Sequence, residues 1–293
     1  MYTPKFIVDA KVIQKFFEDK TLMDDIFMDF CLNNNIPCVQ AMIECLIPDK
    51  NLTVKEVHTQ QKFQTLGRSI IIDVLAIDSE GRLYNIEIQR DKRGATMKRV
   101  RLHGAIIDVN SIEKGMKFDQ LPECYIIFIT EHDTFGFGDV LYSIHKTIDG
   151  KNIRVDDGQH ILFLNCSAKD DGSKAWKLAH DMKCVDPEEI FIPEIAQTVK
   201  DNKDPEVIQE EKGEQAMDNF SKYLRERFKE DFDYAEERGF KRGEERGEER
   251  GEERTTVKFI KNFRDKAKMT LEQIAAIMEI PLDEAKSLYE SAK

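Results

Sequence analysis

The chain has 293 residues, of which 41% are hydrophobic and 34% are charged, and its formal net charge is −12. This composition allows a substantial core. We find no secretory signal segment and no apolar run long enough to cross a bilayer, which argues against a membrane protein. The six cysteines include no C-x-x-C pair and do not resemble a disulfide scaffold, so we expect a reduced, cytoplasmic protein.

The N-terminal part of the chain predicts two short helices and then a strand. Residues 21–32 carry apolar side chains at helical spacing, and Pro37 favours the start of a second helix. Glu44 interrupts the apolar run of that second helix. It is either an exposed helix residue or a third acidic group for the carboxylates of the next two strands. Residues 53–63 alternate loosely between apolar and polar, which predicts the first strand of a sheet.

Two mostly apolar runs, 69–77 and 83–89, predict a β-hairpin. A three-residue loop that ends with Gly81 in the left-handed conformation fits between them. This loop length brings Asp73 of the first strand directly opposite Glu87 of the second.

The facing carboxylates predict a metal site. Side chains directly opposite each other have Cβ atoms about 5 Å apart, and like charges there are destabilising. Burial adds a desolvation cost that a divalent cation offsets. Gln89 lies two residues beyond Glu87 and points to the same face as Asp73 and Glu87. The alternative is a sheet face open to water, on which lysine or arginine neutralises each carboxylate.

Six basic residues follow the hairpin, against a single acidic one, and we call them the basic strip: Arg90, Lys92, Arg93, Lys98, Arg99 and Arg101. A DNA backbone binds such clusters of positive charge. The net charge of −12 does not exclude DNA binding, because much of it lies elsewhere in the chain. Residues 201–254 hold 19 acidic and 12 basic residues and so carry 12 − 19 = −7 of the net charge. Arg99 and His103 are spaced i,i+4 and are candidates for phosphate contact. The alternative is a solvated helix face.

The elements after the basic strip complete an α/β sheet. Residues 95–109 predict a helix that packs on the sheet through Val100, Leu102, Ile106 and Val109. Residues 124–130 are a near-continuous apolar run, typical of a strand buried on both faces, and the preceding helix is the crossover that lets this strand enter the same sheet. Further elements are expected as strands at 142–148 and 160–165 and as helices at 176–182 and 187–198.

The acidic stretch 201–254 ends in an Arg-Gly-Glu-Glu repeat at 238–254. Each glycine costs a helix about 1 kcal/mol relative to alanine. Each i,i+3 ion pair returns only about 0.2–0.5 kcal/mol. We therefore expect a solvated, fraying helix or a flexible spacer.

Residues 255–293 regain amphipathic spacing and predict two short helices. Thr270 and Gln273 fit a capping box at the start of the first one. These helices form either a hairpin for homodimer contacts or tail packing, or half of a helix-turn-helix. The predicted organisation is an α/β domain at 1–200, a linker or solvated helix at 201–254 and a small helical hairpin at 255–293.

Asp73, Glu87 and Gln89, followed by a basic helix, resemble the PD-(D/E)XK nuclease superfamily, and within it the recombination-promoting nuclease (Rpn) and transposase family. The order helix, three strands, helix, strand across roughly residues 37–130 fits the superfamily core. Gln89 stands where the superfamily usually has lysine, a variant that Rpn-like members also show. The resemblance covers about the first 180 residues. It implies a restriction-endonuclease-like α/β fold with a mixed central sheet, extended here by a helical, charged C-terminal region.

The resemblance also implies endonucleolytic hydrolysis of DNA that depends on Mg²⁺ or Mn²⁺ and serves recombination or transposition. Asp73 and Glu87 would bind the metal, and Gln89 would orient the attacking water. The candidates for nucleic-acid binding are Arg90, Lys98, Arg99, Arg101 and His103.

Two other hypotheses remain open at this stage. In the first, the chain is a weakly active or inactive nuclease fold that binds nucleic acid or protein, with its acidic tail on the basic strip. In the second, it is a regulator that reads DNA through residues 255–293. Zinc-protease, P-loop and G-x-S-x-G motifs are absent from the sequence, which disfavours those enzyme classes.

Overall fold

The computed structural model describes residues 10–49, 51–64, 69–212, 220, 257, 259–265, 269–278 and 280–291. Residues 20–200 form one compact unit, and the described parts of 1–19 and 201–293 form a second. The Arg-Gly-Glu-Glu repeat lies outside the described residues.

Most helices and strands lie where the sequence predicts them. The helix at 10–17 and the strand at 153–155 were not predicted, and the strand expected at 142–148 is two strands, 141–144 and 146–148, in different sheets. The helices are α1 (Ala10–Phe17), α2 (Asp25–Leu32), α3 (Ile36–Leu46), α4 (Met97–Ser111), α5 (Lys174–Asp181), α6 (Pro193–Lys203), α7 (Leu271–Met278) and α8 (Leu282–Ser291). The strands are β1 (Val54–Phe63), β2 (Ile70–Asp78), β3 (Leu83–Gln89), β4 (Cys124–Thr130), β5 (Leu141–Ile144), β6 (Lys146–Ile148), β7 (Ile153–Val155) and β8 (Gln159–Asn165). Shorter helical turns lie at Phe118–Gln120, Pro187–Glu189 and Pro205–Val207, and a π-helix lies at Ile208–Lys212.

The described residues of the larger unit form a six-stranded mixed sheet in the order β1-β2-β3-β4-β8-β5. Strands β1, β2 and β3 are antiparallel neighbours, β3, β4 and β8 run parallel, and β5 is antiparallel to β8. The predicted core of helix, three strands, helix and strand is confirmed as α3, β1–β3, α4 and β4. The sheet is wider than the four strands of that core, because β8 and β5 extend it. A separate pair, β6 and β7, forms a two-stranded sheet.

The turn between β2 and β3 has the conformation that the sequence predicts. Gly81 has a φ of 78°, which L side chains rarely adopt. The N–H of Asp78 donates to the carbonyl of Arg82 (3.2 Å), and Leu75 pairs with Asn85. The hairpin register is thereby confirmed.

Helix α4 packs on the sheet with a different face from the one expected. Val100 and Ile106 are buried, but Leu102 is 48% exposed and Val109 is 71% exposed, so this part of the prediction is wrong. Positions 100, 103 and 107 lie on one side of a helix with 3.6 residues per turn. That side faces the sheet. It includes the polar residue His103, which a search for apolar residues at helical spacing does not find. The buried apolar cluster that α4 forms with the sheet consists of Ile72, Ala95, Val100, Ile107, Cys124, Ile126, Phe128, Ile161 and Phe163.

The second unit is helical. The rings of Phe16 and Phe17 in α1 lie 5.1 and 5.9 Å from the ring of Phe220. The capping box is confirmed at the start of α7, where the Thr270 N–H donates to Oε1 of Gln273 (2.8 Å) and the Gln273 N–H donates to Oγ1 of Thr270 (3.2 Å). None of the helices within the described ranges has the length and apolar character needed to cross a membrane.

Candidate active site

Two carboxylates lie side by side where β2 and β3 separate. Regular pairing of the strands extends as far as Val74 and Ile86, and Asp73 and Glu87 come next on either strand. Beyond this last regular pair, hydrogen bonds between backbone N–H groups and the two acidic side chains connect the strands. The Asp73 N–H donates to Oε1 of Glu87 (3.3 Å), and the Ile88 N–H donates to Oδ2 of Asp73 (2.9 Å). The hairpin register therefore brings both acids to one place.

Burial and like charge strongly perturb this pair of acids. Glu87 is fully buried and Asp73 is partly buried. Burial, followed by the negative charge of Glu87, raises the pKa of Asp73 to about 7. Asp25, at the start of α2, adds to the rise, while the Ile88 N–H and the Arg99 charge oppose it. The site therefore favours additional positive charge.

Arg99 reaches the site from the first turn of α4. Thr96 caps this helix, and its Oγ1 accepts a hydrogen bond from the Arg99 N–H (3.3 Å). Nη2 of Arg99 donates to Oε2 of Glu87 (2.7 Å), and Nη1 donates to Oε1 of Gln89. The guanidinium carbon lies 5.6 Å from the ring centroid of Phe128. The Arg99 guanidinium thus binds both the Glu87 carboxylate and the Gln89 amide of β3.

His103 is buried next to Glu87, and only 2% of its surface is exposed. Its Nδ1 is 3.2 Å from Oε1 of Glu87 and 3.0 Å from Nδ2 of Asn85. Nε of Arg99 donates to Nε2 of His103 (3.4 Å). The structure places His103 inside the site and not on the exposed surface of α4.

The basic strip divides into engaged and exposed cations. Arg90 forms ion pairs with Asp24 (2.7 Å) and with Glu131 (3.0 Å), Arg93 pairs with Asp91 (3.5 Å), and Arg99 pairs with Glu87 in the site. Three members are exposed and form no ion pair within the described part of the chain: Lys92, Lys98 and Arg101. These three leave the outer face of the strip positively charged.

Glu44 lies on the surface of α3. It is exposed, and its Oε1 accepts a hydrogen bond from Nε2 of Gln40 (2.6 Å). The acid outside the strands that acts on Asp73 is Asp25 of α2. The sequence marks Asp25 only as an acidic residue in the first turns of the helix predicted at 21–32, and nothing there places it near Asp73.

The sequence analysis also missed two residues that shape the site. Asn85 is fully buried next to His103, and its Oδ1 has no hydrogen-bond partner among the described residues. It lies two positions before Glu87 and therefore on the same strand face. Gly94 lies against Gln89, since a Cβ at position 94 would be only 2.0 Å from the Gln89 Cδ. Only glycine leaves room for the Gln89 side chain there.

The two carboxylates fit a hard divalent cation. Mg²⁺ and Mn²⁺ prefer carboxylate and other oxygen ligands. Within the described residues, Oδ1 of Asp73 accepts no hydrogen bond and so has its lone pairs available. A cation at this point would also offset the repulsion that raises the pKa of Asp73.

Another group of metal-ligand type lies on and just after α5, where ligand atoms of His180, Asp181 and Cys184 lie within 4.8 Å of one another. Asp181 is fully buried, and its two oxygens accept the N–H groups of Phe191 (3.0 Å) and Ile192 (2.8 Å). These bonds give the carboxylate a structural role, because they fix the chain that follows α5.

Comparison with known proteins identifies the family of the chain. No curated protein and no solved structure matches the chain. A family model described as PD-(D/E)XK nuclease family transposase matches residues 29–227, which is more than half of the chain and includes every strand of the six-stranded sheet. The chain therefore belongs to the PD-(D/E)XK nuclease transposase family.

Proposed function

We propose that this protein is a DNA endonuclease of the recombination-promoting or transposase type, in which Asp73 and Glu87 hold Mg²⁺ or Mn²⁺. The observation that carries the proposal is the pair of acids where β2 and β3 separate, one fully buried and the other with a pKa raised to about 7. Two negative groups so close together favour a dication. Family membership supports nuclease chemistry on DNA.

The metal would activate a water molecule and neutralise charge that develops on the phosphate. The protein's own residues hold the two carboxylates in place. The N–H of Ile88 donates to Oδ2 of Asp73, and Nδ1 of His103 lies 3.2 Å from Oε1 of Glu87. The amide of Gln89 is a hydrogen-bond donor for the water or the phosphate, since its oxygen is already bound by Arg99.

DNA phosphates would meet the exposed cations of the basic strip. Lys98 and Arg101 project from the outer face of α4, the helix whose first turn delivers Arg99 to the site. Such contacts hold the backbone in place without reading sequence. Arg90 contributes in another way, because its two ion pairs link the start of α2 to the end of β4. From the cysteine pattern of the sequence, we expect the activity in the cytoplasm.

A plasmid cleavage assay tests the proposal. Supercoiled plasmid is incubated with the full chain and Mg²⁺ or Mn²⁺, alongside the isosteric variants Asp73→Asn and Glu87→Gln. Wild type is expected to nick or linearise the plasmid, and each variant to lose at least about 100-fold in rate. The matched control is Glu44→Gln, which alters an exposed carboxylate of α3 and should cleave as wild type does. Equal cleavage by wild type and Asp73→Asn would remove the proposed site.

The second candidate is a nuclease fold that binds nucleic acid with little or no cleavage. One observation favours it: Gln89 carries no charge, and the nearby positive group, Arg99, is bonded to Glu87. Under this alternative, wild type and Asp73→Asn bind a DNA duplex equally and neither cleaves it with either metal. Homodimer formation through the C-terminal helices stays a prediction, which light scattering of the full chain tests.

A further inference from the structure

We infer that Arg99 competes with the divalent cation for Glu87, and that a DNA phosphate relieves this competition by attracting Arg99. Arg99 would then couple metal binding to substrate binding. The inference rests on the proposed function, because it takes Asp73 and Glu87 as the metal ligands. It adds a regulatory step that the assignment of ligands does not contain.

Both oxygens of Glu87 are engaged by neighbouring groups. Oε2 accepts from Nη2 of Arg99 (2.7 Å), while Oε1 lies 3.3 Å from the N–H of Asp73 and 3.2 Å from Nδ1 of His103. Oε1 faces the interior of the fold. A cation that binds Glu87 through Oε2 must therefore replace the Arg99 N–H, or share that oxygen with a nearby positive charge.

Electrostatics makes this competition costly for the metal. A guanidinium and a dication bound to the same carboxylate repel each other at short range, and the surrounding burial weakens screening by water. Nη2 of Arg99 lies 2.7 Å from Oε2 of Glu87, so the Arg99 charge acts directly on a proposed metal ligand. Removing this charge should strengthen metal binding even though it removes a hydrogen bond from Glu87.

Arg99 is able to leave Glu87 without losing all of its contacts. Its side chain is 33% exposed, so the guanidinium is accessible from solvent. The ring of Phe128 lies beneath it, and Gln89 accepts its other N–H group. Arginine binds phosphate through the same fork of N–H groups that it offers to a carboxylate. A phosphate beside α4 is thus an alternative partner for Arg99.

Arg90 provides the contrast within the same strip. It is held between Asp24 and Glu131 and has no hydrogen bond to Asp73, Glu87 or Gln89. Lys114 is exposed just after the end of α4 and forms no ion pair with another residue that the structure describes. Lys114→Met is therefore the control for Arg99→Met, because it removes a positive charge near the same helix without altering the site or the cations proposed to contact DNA.

Titration calorimetry with Mn²⁺ alone tests the competition. Arg99→Met keeps an unbranched stem over Phe128 and is expected to bind Mn²⁺ at least about tenfold more tightly than wild type. Lys114→Met should bind Mn²⁺ as wild type does. Equal or weaker Mn²⁺ binding by a folded Arg99→Met variant would overturn the inference. Circular dichroism checks the fold, and Arg99→Gln is the second neutral variant if the methionine protein is misfolded.

A second titration tests the coupling to substrate. Mn²⁺ binding is measured with and without a saturating phosphorothioate DNA duplex, which resists hydrolysis. The gain in Mn²⁺ affinity on adding duplex should be larger in wild type than in Arg99→Met, since only wild type has a competing arginine for the phosphate to attract. An equal gain in both proteins would contradict the coupling.

These outcomes separate the inference from the proposed function. Loss of Mn²⁺ binding in Asp73→Asn, together with unchanged binding in Arg99→Met, supports the ligands and overturns the competition. No Mn²⁺ binding by wild type but clear binding by Arg99→Met supports both. No binding by either protein overturns both.

Discussion

Asp73 and Glu87 each accept a hydrogen bond from the backbone of the other's strand. The Asp73 N–H donates to Oε1 of Glu87, and Oδ2 of Asp73 accepts from the N–H of Ile88, the residue after Glu87. This exchange begins directly after the last regular pair of the hairpin, Val74 and Ile86. The strand ends are thus held together through the acidic groups themselves, so the site is linked to the stability of the hairpin.

The first prediction concerns stability and pH in the presence of a chelator. The pKa of Asp73 is about 7 in the folded protein, against an ordinary value of 3.8. Between these values the folded state binds more protons than the unfolded state, so the free energy of unfolding falls as pH rises from about 4 to 7. Asp73→Asn removes this contribution and should raise the free energy of unfolding at pH 8 by about 1–2 kcal/mol.

Urea denaturation of both proteins at pH 5 and pH 8 measures the effect. The difference in stability between Asp73→Asn and wild type should be larger at pH 8 than at pH 5. An equal difference at both pH values would show that Asp73 has an ordinary pKa. Glu44→Gln is the control, since Glu44 is exposed and lies outside the site.

The second prediction concerns Gly94. A methyl group at this position would collide with the Gln89 side chain, so Gly94→Ala should displace the Gln89 amide. We expect kcat for cleavage to fall roughly tenfold to hundredfold. Mn²⁺ affinity should change little, because Asp73 and Glu87 stay in place.

A double-mutant cycle isolates the cause of that loss. Gln89→Ala removes the atoms with which the new methyl group would collide. Adding Gly94→Ala to Gln89→Ala should therefore cause no further loss of kcat. If the two losses multiply instead, Gly94 acts by some route other than the placement of Gln89.

The third prediction concerns the exposed cations of α4. Lys98→Ala and Arg101→Ala should each weaken DNA binding and lower the slope of log K against log salt by about 1, as expected for the loss of one phosphate contact. Lys151→Ala, an exposed lysine beside the β6–β7 pair, should leave the slope unchanged. Fluorescence anisotropy with a labelled duplex at several salt concentrations measures this. Equal slopes for wild type and Arg101→Ala would place the DNA elsewhere.

Local rules explain why the hairpin could be predicted from the sequence. Gly81 specifies the turn, the turn length sets the register, and the period of two in a strand places Glu87 and Gln89 on one face. The parallel pairing of β3 with β4 follows from the helix between them. These inferences need only neighbours in the chain or one crossover.

The features that could not be predicted depend on how α4 is rotated on the sheet. His103 and Leu102 are adjacent in sequence, yet the polar residue is 2% exposed and the apolar one is 48% exposed. An apolar pattern predicts the opposite arrangement. His103 is inward because Glu87, Asn85 and Arg99 give it polar partners, and those partners come from two separate elements. The contribution of Asp25 likewise requires α2 to lie near β2, which no local pattern shows.

The most direct test of the central claim is Mn²⁺ binding by calorimetry, with full-length wild type compared with Asp73→Asn, Glu87→Gln and Glu44→Gln at pH 8. The account predicts that wild type and Glu44→Gln bind Mn²⁺ and that both site variants lose most of that binding. Binding by Asp73→Asn and Glu87→Gln that equals binding by wild type would contradict it.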